Sequence, residues 1–379
     1  MKKERTDAVR KTLRQWTTAA FVCLLAVYLL KKPEVASVGV LQGMDACLGT
    51  LVPSLFPFMV LSCYLTESGI ASRCGKIGAF LMHHVFRLPG CAAPVLLLGL
   101  IGGYPAGAKT AARLMERGEL THEQAGRLLC FCISAGPPFV LTTVGACLLG
   151  NHSAGIILLL SLSVAALLLG LLTRFFCGKE NEMQILSPAA PAASPFVSAV
   201  FGASRAMASM CAFVVVFSVL LALIRDTGVI PHIVRNLLLL GVPPGDAAAL
   251  PSFISEVTSG CRDGALMRAS LPLFAFGLGW GGLCVHLQIF SFFEKFPIPR
   301  LKFWIYRLLH GILSASITWQ LLPFFPEYST ASSIWSQEIQ GAMASSVPAA
   351  AALFLLLLVM ALDGSGITFR KRAKTSSNT

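Results

Sequence analysis

The stretch that decides the fold is Gly99-Leu100-Ile101-Gly102-Gly103-Tyr104-Pro105-Ala106-Gly107-Ala108-Lys109-Thr110. An apolar run of helical character stops at two glycines and a proline, then restarts with a lysine in its first turn. In water this is an ordinary loop. In a bilayer, each backbone group released from a helix must find a partner without bulk water, so a break persists where protein or a solute-filled cavity satisfies it. The restarted half-helix also aims free N–H groups and a positive dipole end at that place.

Composition puts this stretch in a membrane. The 379 residues are 55% hydrophobic and 13% charged, with mean hydropathy +0.73, whereas a soluble domain averages about 25% charged. The reading is an all-α, polytopic membrane helical bundle with discontinuous helices. The net charge of +12 would suggest nucleic acid in a soluble protein. Here the positive charge gathers at the ends: Lys2, Lys3, Arg5, Arg10, Lys11 and Arg14 before the first span, Arg370, Lys371, Arg372 and Lys374 after the last. Topology and lipid headgroups account for it, and no nucleic-acid partner is expected. The positive-inside rule predicts both termini in the cytoplasm and an even number of full crossings. The 12 cysteines are scattered through apolar runs, and Cys130-x-Cys132 lacks metal or redox spacing. They read as small buried hydrophobes, with no metal and no cofactor expected. Residues 16–30 read as an uncleaved first span, because Lys31-Lys32-Pro33-Glu34 offers no small-residue cleavage site.

The chain divides into a basic N-terminus with the first span (1–32), a first repeat (33–177), a Pro/Ala/Ser-rich linker (178–195), a second repeat (196–321), and a last span with a basic tail (322–379). Within the first repeat, 36–50 reads as an amphipathic approach to a span at 51–67, and 76–88 as interfacial. Residues 92–102 form an apolar run ending at the glycine break. Thr121-His122-Glu123-Gln124 opens a helix with a capping box. Ala135-Gly136-Pro137-Pro138 is a second break, and 153–177 a long span. The second half carries apolar segments at 207–224, 230–241, 247–258, 265–278, 281–293, 301–321 and 346–362.

Internal repetition follows from three features in the same order. Glu67-Ser68-Gly69-Ile70 and Asp226-Thr227-Gly228-Val229 each end an apolar helix. Gly107-Ala108-Lys109 and Gly260-Cys261-Arg262 each place a cation just after a break. Gly136-Pro137-Pro138 and Gly277-Leu278-Gly279-Trp280-Gly281-Gly282 each form a second break. Paired discontinuous segments in two repeats point to a transporter's binding site. An inverted relation between the repeats is expected.

The candidate solute-binding residues are therefore those at the breaks: Gly103, Tyr104, Pro105, Gly107, Lys109, Ser134, Gly136, Glu256, Thr258, Gly260, Arg262 and Gln288. An ionisable residue at the centre of a span costs at least about 2.5–3.5 kcal/mol, which marks Lys109, Glu256 and Arg262. Arg262 beside Asp263 also reads as an interfacial ion pair. His286 reads as a helix-packing hydrogen bonder, with a ligand or proton carrier of the cavity as the alternative. Phe131 and Phe139, flanking the second break, read as packing or as a surface for stacking a flat ring. The sequence Gly102-x4-Gly107-Ala108-Lys109-Thr110 imitates a P-loop but has one residue too many before the lysine and follows an apolar helix. No catalytic constellation rises above background, and the chain does not read as an enzyme.

These motifs resemble the sporulation integral membrane proteins of the YlbJ type, which carry the nucleoside-recognition gate domain also found in nucleoside and ferrous-iron transport proteins. The resemblance rests on Gly102-Gly103-Tyr104-Pro105-Ala106-Gly107-Ala108-Lys109, Phe131-Cys132-Ile133-Ser134-Ala135-Gly136-Pro137-Pro138-Phe139, Glu256-Val257-Thr258-Ser259-Gly260 and Gly281-Gly282-Leu283-Cys284-Val285-His286-Leu287-Gln288. Ile133-Ser134 stands where the family usually has polar amides. The resemblance implies a bacterial multi-pass protein of endospore formation. It further implies movement of a small anion, dipicolinic acid, from the mother cell across the outer forespore membrane. The alternatives are a carrier of nucleosides or another neutral solute, and a non-transporting membrane scaffold or gate subunit.

Overall fold

The computed structural model describes residues 2–70, 78–175, 194–296 and 298–325, and among them the regular structure is helical throughout. The protein is a polytopic membrane helical bundle. Most of the predicted linker and the predicted span at 346–362 lie outside the described residues.

Helix α1 (Lys2–Lys31) leads into α2 (Pro33–Glu67), one continuous apolar helix of 35 residues. This corrects the division into an approach at 36–50 and a span at 51–67. The physical reason lies at Pro53, whose ring crowds the carbonyl four residues back. The helix absorbs that by widening into a π-helical stretch at Ala46–Leu51, the kind of local expansion that lets a helix continue through an irregularity.

Helix α3 (Gly78–Phe86) turns sharply into α4 (Gly90–Gly102), the two axes meeting at 107°. Arg87 takes a left-handed conformation at φ 51° and Pro89 follows. Helix α5 (Tyr104–Glu116) restarts after a one-residue break at Gly103. Helix α6 (His122–Leu129) begins at the predicted capping box. There the Gln124 N–H donates to Thr121 Oγ1 at 3.1 Å, and the Thr121 N–H to Gln124 Oε1 at 3.0 Å. Residues 133–136 are non-helical. The π-helix α7 (Phe139–Leu148) and the long apolar α8 (His152–Arg174) complete this half.

The second half runs through a similar series: α9 (Pro195–Asp226), α10 (Val229–Leu239), α11 (Pro244–Ser255), α12 (Val257–Leu266), α13 (Leu271–Trp280), α14 (Gly282–Ser291) and α15 (Arg300–Leu321). Helices α2, α8 and α9 and the α13–α14 segment are each long and apolar enough to cross a membrane. The bent α3–α4 pair could form a fifth crossing.

Helices α2 and α9 pack closely against each other. A Cβ on Gly39 would lie 2.6 Å from the backbone of Val219, and one on Gly43 2.7 Å from that of Val215. Cys47 lies against the Cys211 carbonyl. This pairing makes the two helices antiparallel. Small residues let the backbones approach, which is how membrane helices gain packing where lipid and side chains are equally apolar. On the far side, α13, α15 and α8 pack together through Gly279 against Gly311 and a Thr318–Ser161 hydrogen bond of 2.8 Å.

Candidate functional site

Three interruptions of helix border one cavity, and a fourth packs against one of them. The first, between α4 and α5, is Gly103 at φ 80°, ψ −172°, a conformation open in practice to glycine alone. The second is the non-helical segment ending at Gly136. These two lie backbone to backbone, since a Cβ on Gly103 would sit 3.2 Å from the Gly136 nitrogen. The third is Glu256, in an extended conformation between α11 and α12. The fourth is Gly281-Gly282, both at positive φ. A Cβ on Gly282 would lie 3.1 Å from the Glu256 Cα, so the third and fourth breaks are also pressed together.

The cavity wall is drawn from both halves in matching positions. Leu51 and Leu55 of α2 face Met210 and Val214 of α9, at the same sequence spacing that separates Glu67 from Asp226. Gly103, Tyr104 and Pro105 match Glu256, Val257 and Thr258 at one common spacing. Ala135, Gly136 and Phe139 match Cys284, Val285 and Gln288 at another. The free volume is about 30 Å³, room for two or three waters at the ~10–15 Å³ that each requires. A ring-sized solute therefore needs the walls to separate.

The chain's own groups satisfy much of the backbone freed at the breaks. Glu256, 1% exposed, turns its carboxylate onto the start of α12, accepting from the Thr258 N–H at 2.7 Å and the Ser259 N–H at 2.6 Å. A carboxylate at a helix N-terminus is stabilised by the dipole and by the unpaired donors. No side chain caps α5 in this way. The Tyr104 hydroxyl instead crosses to the other half, donating to the Leu278 carbonyl at 2.6 Å.

Arg307 of α15 is fully buried and escaped the sequence reading. It donates to the carbonyls of Ile133, at the second break, and of Gly279, with a longer contact of 3.5 Å to Trp280 at the fourth. One guanidinium thus joins the unwound backbone of both halves. Its five donors in a fixed fork suit it to several carbonyls at once. His310 adds contacts to the Gly279 and Leu162 carbonyls, and His286 one of 2.9 Å to that of Trp280. The available sequence signal was the cost of an arginine inside an apolar segment at 301–321.

Of the residues singled out from sequence, Gly103, Tyr104, Pro105, Gly136, Glu256, Thr258 and Gln288 line the cavity. Gln288 is 1% exposed and its Nε2 has no hydrogen-bond partner. Ser134 is buried but is not part of the wall. Gly107 packs against Gly99, where a Cβ would meet the Gly99 Cα at 2.8 Å, and Gly260 packs against Phe253. Lys109 and Arg262 stand away from the cavity, six residues past their breaks, a rise of about 9 Å along a helix. Lys109 Nζ donates to the Gly202 carbonyl at 2.8 Å and lies 3.7 Å from Cys63 Sγ. Arg262 pairs with Asp45 at 3.5 Å. Phe139 belongs to the wall, whereas Phe131 stacks on Phe86 with centroids 5.1 Å apart. No group of three or more potential metal ligands occurs among the described residues.

Comparison with known proteins agrees with the family resemblance read from the motifs. Residues 48–210 match the family model described as "Gate: Nucleoside recognition". This match begins within α2, passes through the first two breaks and ends in α9. No solved structure matches. The chain is 27% identical over 328 residues, covering 78% of its length and 80% of the relative, to the sporulation integral membrane protein YlbJ of Bacillus subtilis (strain 168). The chain therefore carries a nucleoside-recognition gate match that runs from α2 into α9 and is similar, over most of its length, to a sporulation integral membrane protein.

Proposed function

We propose that this protein is a non-enzymatic carrier that moves a small solute across a membrane during spore formation, with the solute bound where the four breaks meet. The observation that carries this reading is the convergence of paired helix interruptions from two halves on one buried cavity. Soluble-protein packing has no need of such breaks, and in a membrane they are sustained where they serve a pathway. The similarity to a sporulation membrane protein supports the setting.

For the solute, our first choice is a small planar anion of the dipicolinate kind, carried from the mother cell across the outer forespore membrane, with both termini in the cytoplasm. The flat rings of Tyr104 and Phe139, the unpartnered Gln288 amide and the uncapped start of α5 all border the cavity. Together they offer stacking surfaces and, from Gln288 Nε2, a donor to a carboxylate. A neutral solute such as a nucleoside is the second reading. It is favoured by one observation: among the described residues, no lysine or arginine lines the cavity.

Reconstitution of the purified protein into liposomes, with uptake of labelled dipicolinate compared with a labelled nucleoside, tests both. Protein-dependent dipicolinate uptake that excess unlabelled nucleoside does not inhibit supports the anion. Uptake of the nucleoside alone replaces it with the neutral reading. Uptake of neither, by protein shown to be folded, removes the carrier reading.

A further inference from the structure

We propose that Lys109 and Arg113 on α5, and Arg262 and Asp263 on α12, are positioning residues that form two opposed clamps, each controlling access to the cavity from one membrane face. The proposal rests on the carrier reading and deepens it.

On α5, Lys109 reaches the Gly202 carbonyl of α9. One turn later Arg113 pairs with Glu67 at the end of α2. On α12, Arg262 reaches Asp45 of α2, and Asp263 pairs with Arg225 near the end of α9. The Ser252 hydroxyl also donates to the Asp263 carboxylate. Each half-helix therefore holds both long helices: its own half's through an ion pair, the other half's through a cation. Lys109 and Arg262 stand at the same spacing as the first and third breaks, so the two clamps are corresponding parts of the two halves.

The antiparallel α2–α9 pair separates the clamps in space. Glu67 closes α2 at the end where α9 begins, and Arg225 lies where α9 ends, beside the start of α2. The α5 clamp thus sits on one side of the cavity and the α12 clamp on the other. Both are closed in this structure, in keeping with the small free volume. The Arg113–Glu67 and Arg225–Asp263 pairs each have one partner between 13% and 15% exposed and the other between 31% and 39%, and Arg262–Asp45 is more open still, so water reaches all three and rupture is within thermal range.

Native Cys284, a residue of the cavity wall, is the reporter. Full-length protein in right-side-out and inverted vesicles is treated with a charged, impermeant methanethiosulfonate, and modification of Cys284 is read by mass spectrometry. Glu67→Gln should speed modification about tenfold from the face bearing Glu67 and leave the opposite face unchanged, and Asp263→Asn should do the reverse. The exchanged pair Glu67→Arg with Arg113→Glu should restore the slow wild-type rate. Equal acceleration from both faces, no acceleration, or acceleration from the wrong face overturns the proposal. If Glu67→Gln does not fold, the exchanged pair decides, because faster modification than wild type in that variant also overturns it. Absence of solute uptake by the folded wild-type protein defeats the carrier reading instead, so the two failures are distinguishable.

Discussion

The start of α5 and the start of α12 face the same problem and solve it with different chemistry. Both half-helices begin at a one-residue break against the same cavity. At Gly103 the chain uses backbone freedom: a positive φ and close contact with Gly136, with no capping side chain. At Glu256 it uses charge, folding a buried carboxylate onto two N–H groups. The comparison teaches that corresponding positions need not do corresponding work. One end of the site leaves its helix start uncapped by any side chain, while the other arrives with an internal carboxylate already in place. The cavity is therefore asymmetric, although its wall is drawn from positions at common sequence spacings.

The largest expected effect comes from the residue that ties the two regions together. Arg307→Ala takes the donor from the Ile133 carbonyl and leaves the Gly279 carbonyl to His310 alone. At roughly 1–3 kcal/mol for the orphaned carbonyl and about 1.5–3 kcal/mol for the lost charged hydrogen bond, the loss should be about 3 kcal/mol or more. Thermal unfolding of the protein in detergent should show it as a large fall in midpoint, with Arg307→Lys intermediate. A midpoint equal to wild type would mean that the two breaks do not depend on a common support.

The two breaks themselves come next, and their order is the direct trial of the comparison. Gly103→Ala forces an L residue into a glycine conformation and should cost about 1–3 kcal/mol. Glu256→Ala removes a cap and should cost about 0.5–2 kcal/mol. Glu256→Asp, with its shorter reach, should keep part of the cap. If the Glu256 variant proves the more destabilised in the same unfolding assay, charge and not backbone freedom dominates the design of the site.

Tyr104→Phe sharpens the picture at smaller scale. It deletes the hydrogen bond from the first half to the Leu278 carbonyl, for about 0.5–1.5 kcal/mol. Hydrogen exchange should rise at the end of α13 more than in α8. The smallest effect belongs to Glu67→Gln, at about 0.2–1 kcal/mol on stability. Its signature is expected in the face-specific labelling of Cys284 and hardly in the unfolding midpoint.

Local chemistry made a good part of this legible in advance. The interruptions at Gly103, Gly136 and Gly281-Gly282 announce themselves because glycine and proline punctuate apolar runs. The Thr121–Gln124 capping box is a four-residue pattern whose bonds are all local. The single long α2 was less legible. Proline at 53 argues for a boundary, and only the widened turn before it lets the helix run through. Arg307 was passed over because its partners, Ile133 and Gly279, are far away in the chain. The same distance in sequence hid the partners of Lys109 and Arg262, whose charge and position after a break suggested solute contact.

The sequence by itself determined the membrane class, the helical architecture and the breaks at Gly103, Gly136 and Gly281-Gly282, whereas Gly260, read as part of a break, lies inside α12. These follow from composition, periodicity and residues whose backbone preferences act over a few positions. Only the tertiary structure decided that three of the breaks share one cavity with the fourth packed behind them, that α2 and α9 run antiparallel, and that the conspicuous cations hold helices while a buried arginine holds the breaks. Such facts depend on which distant segments meet, and a buried polar group takes its role from the partner that packing brings to it.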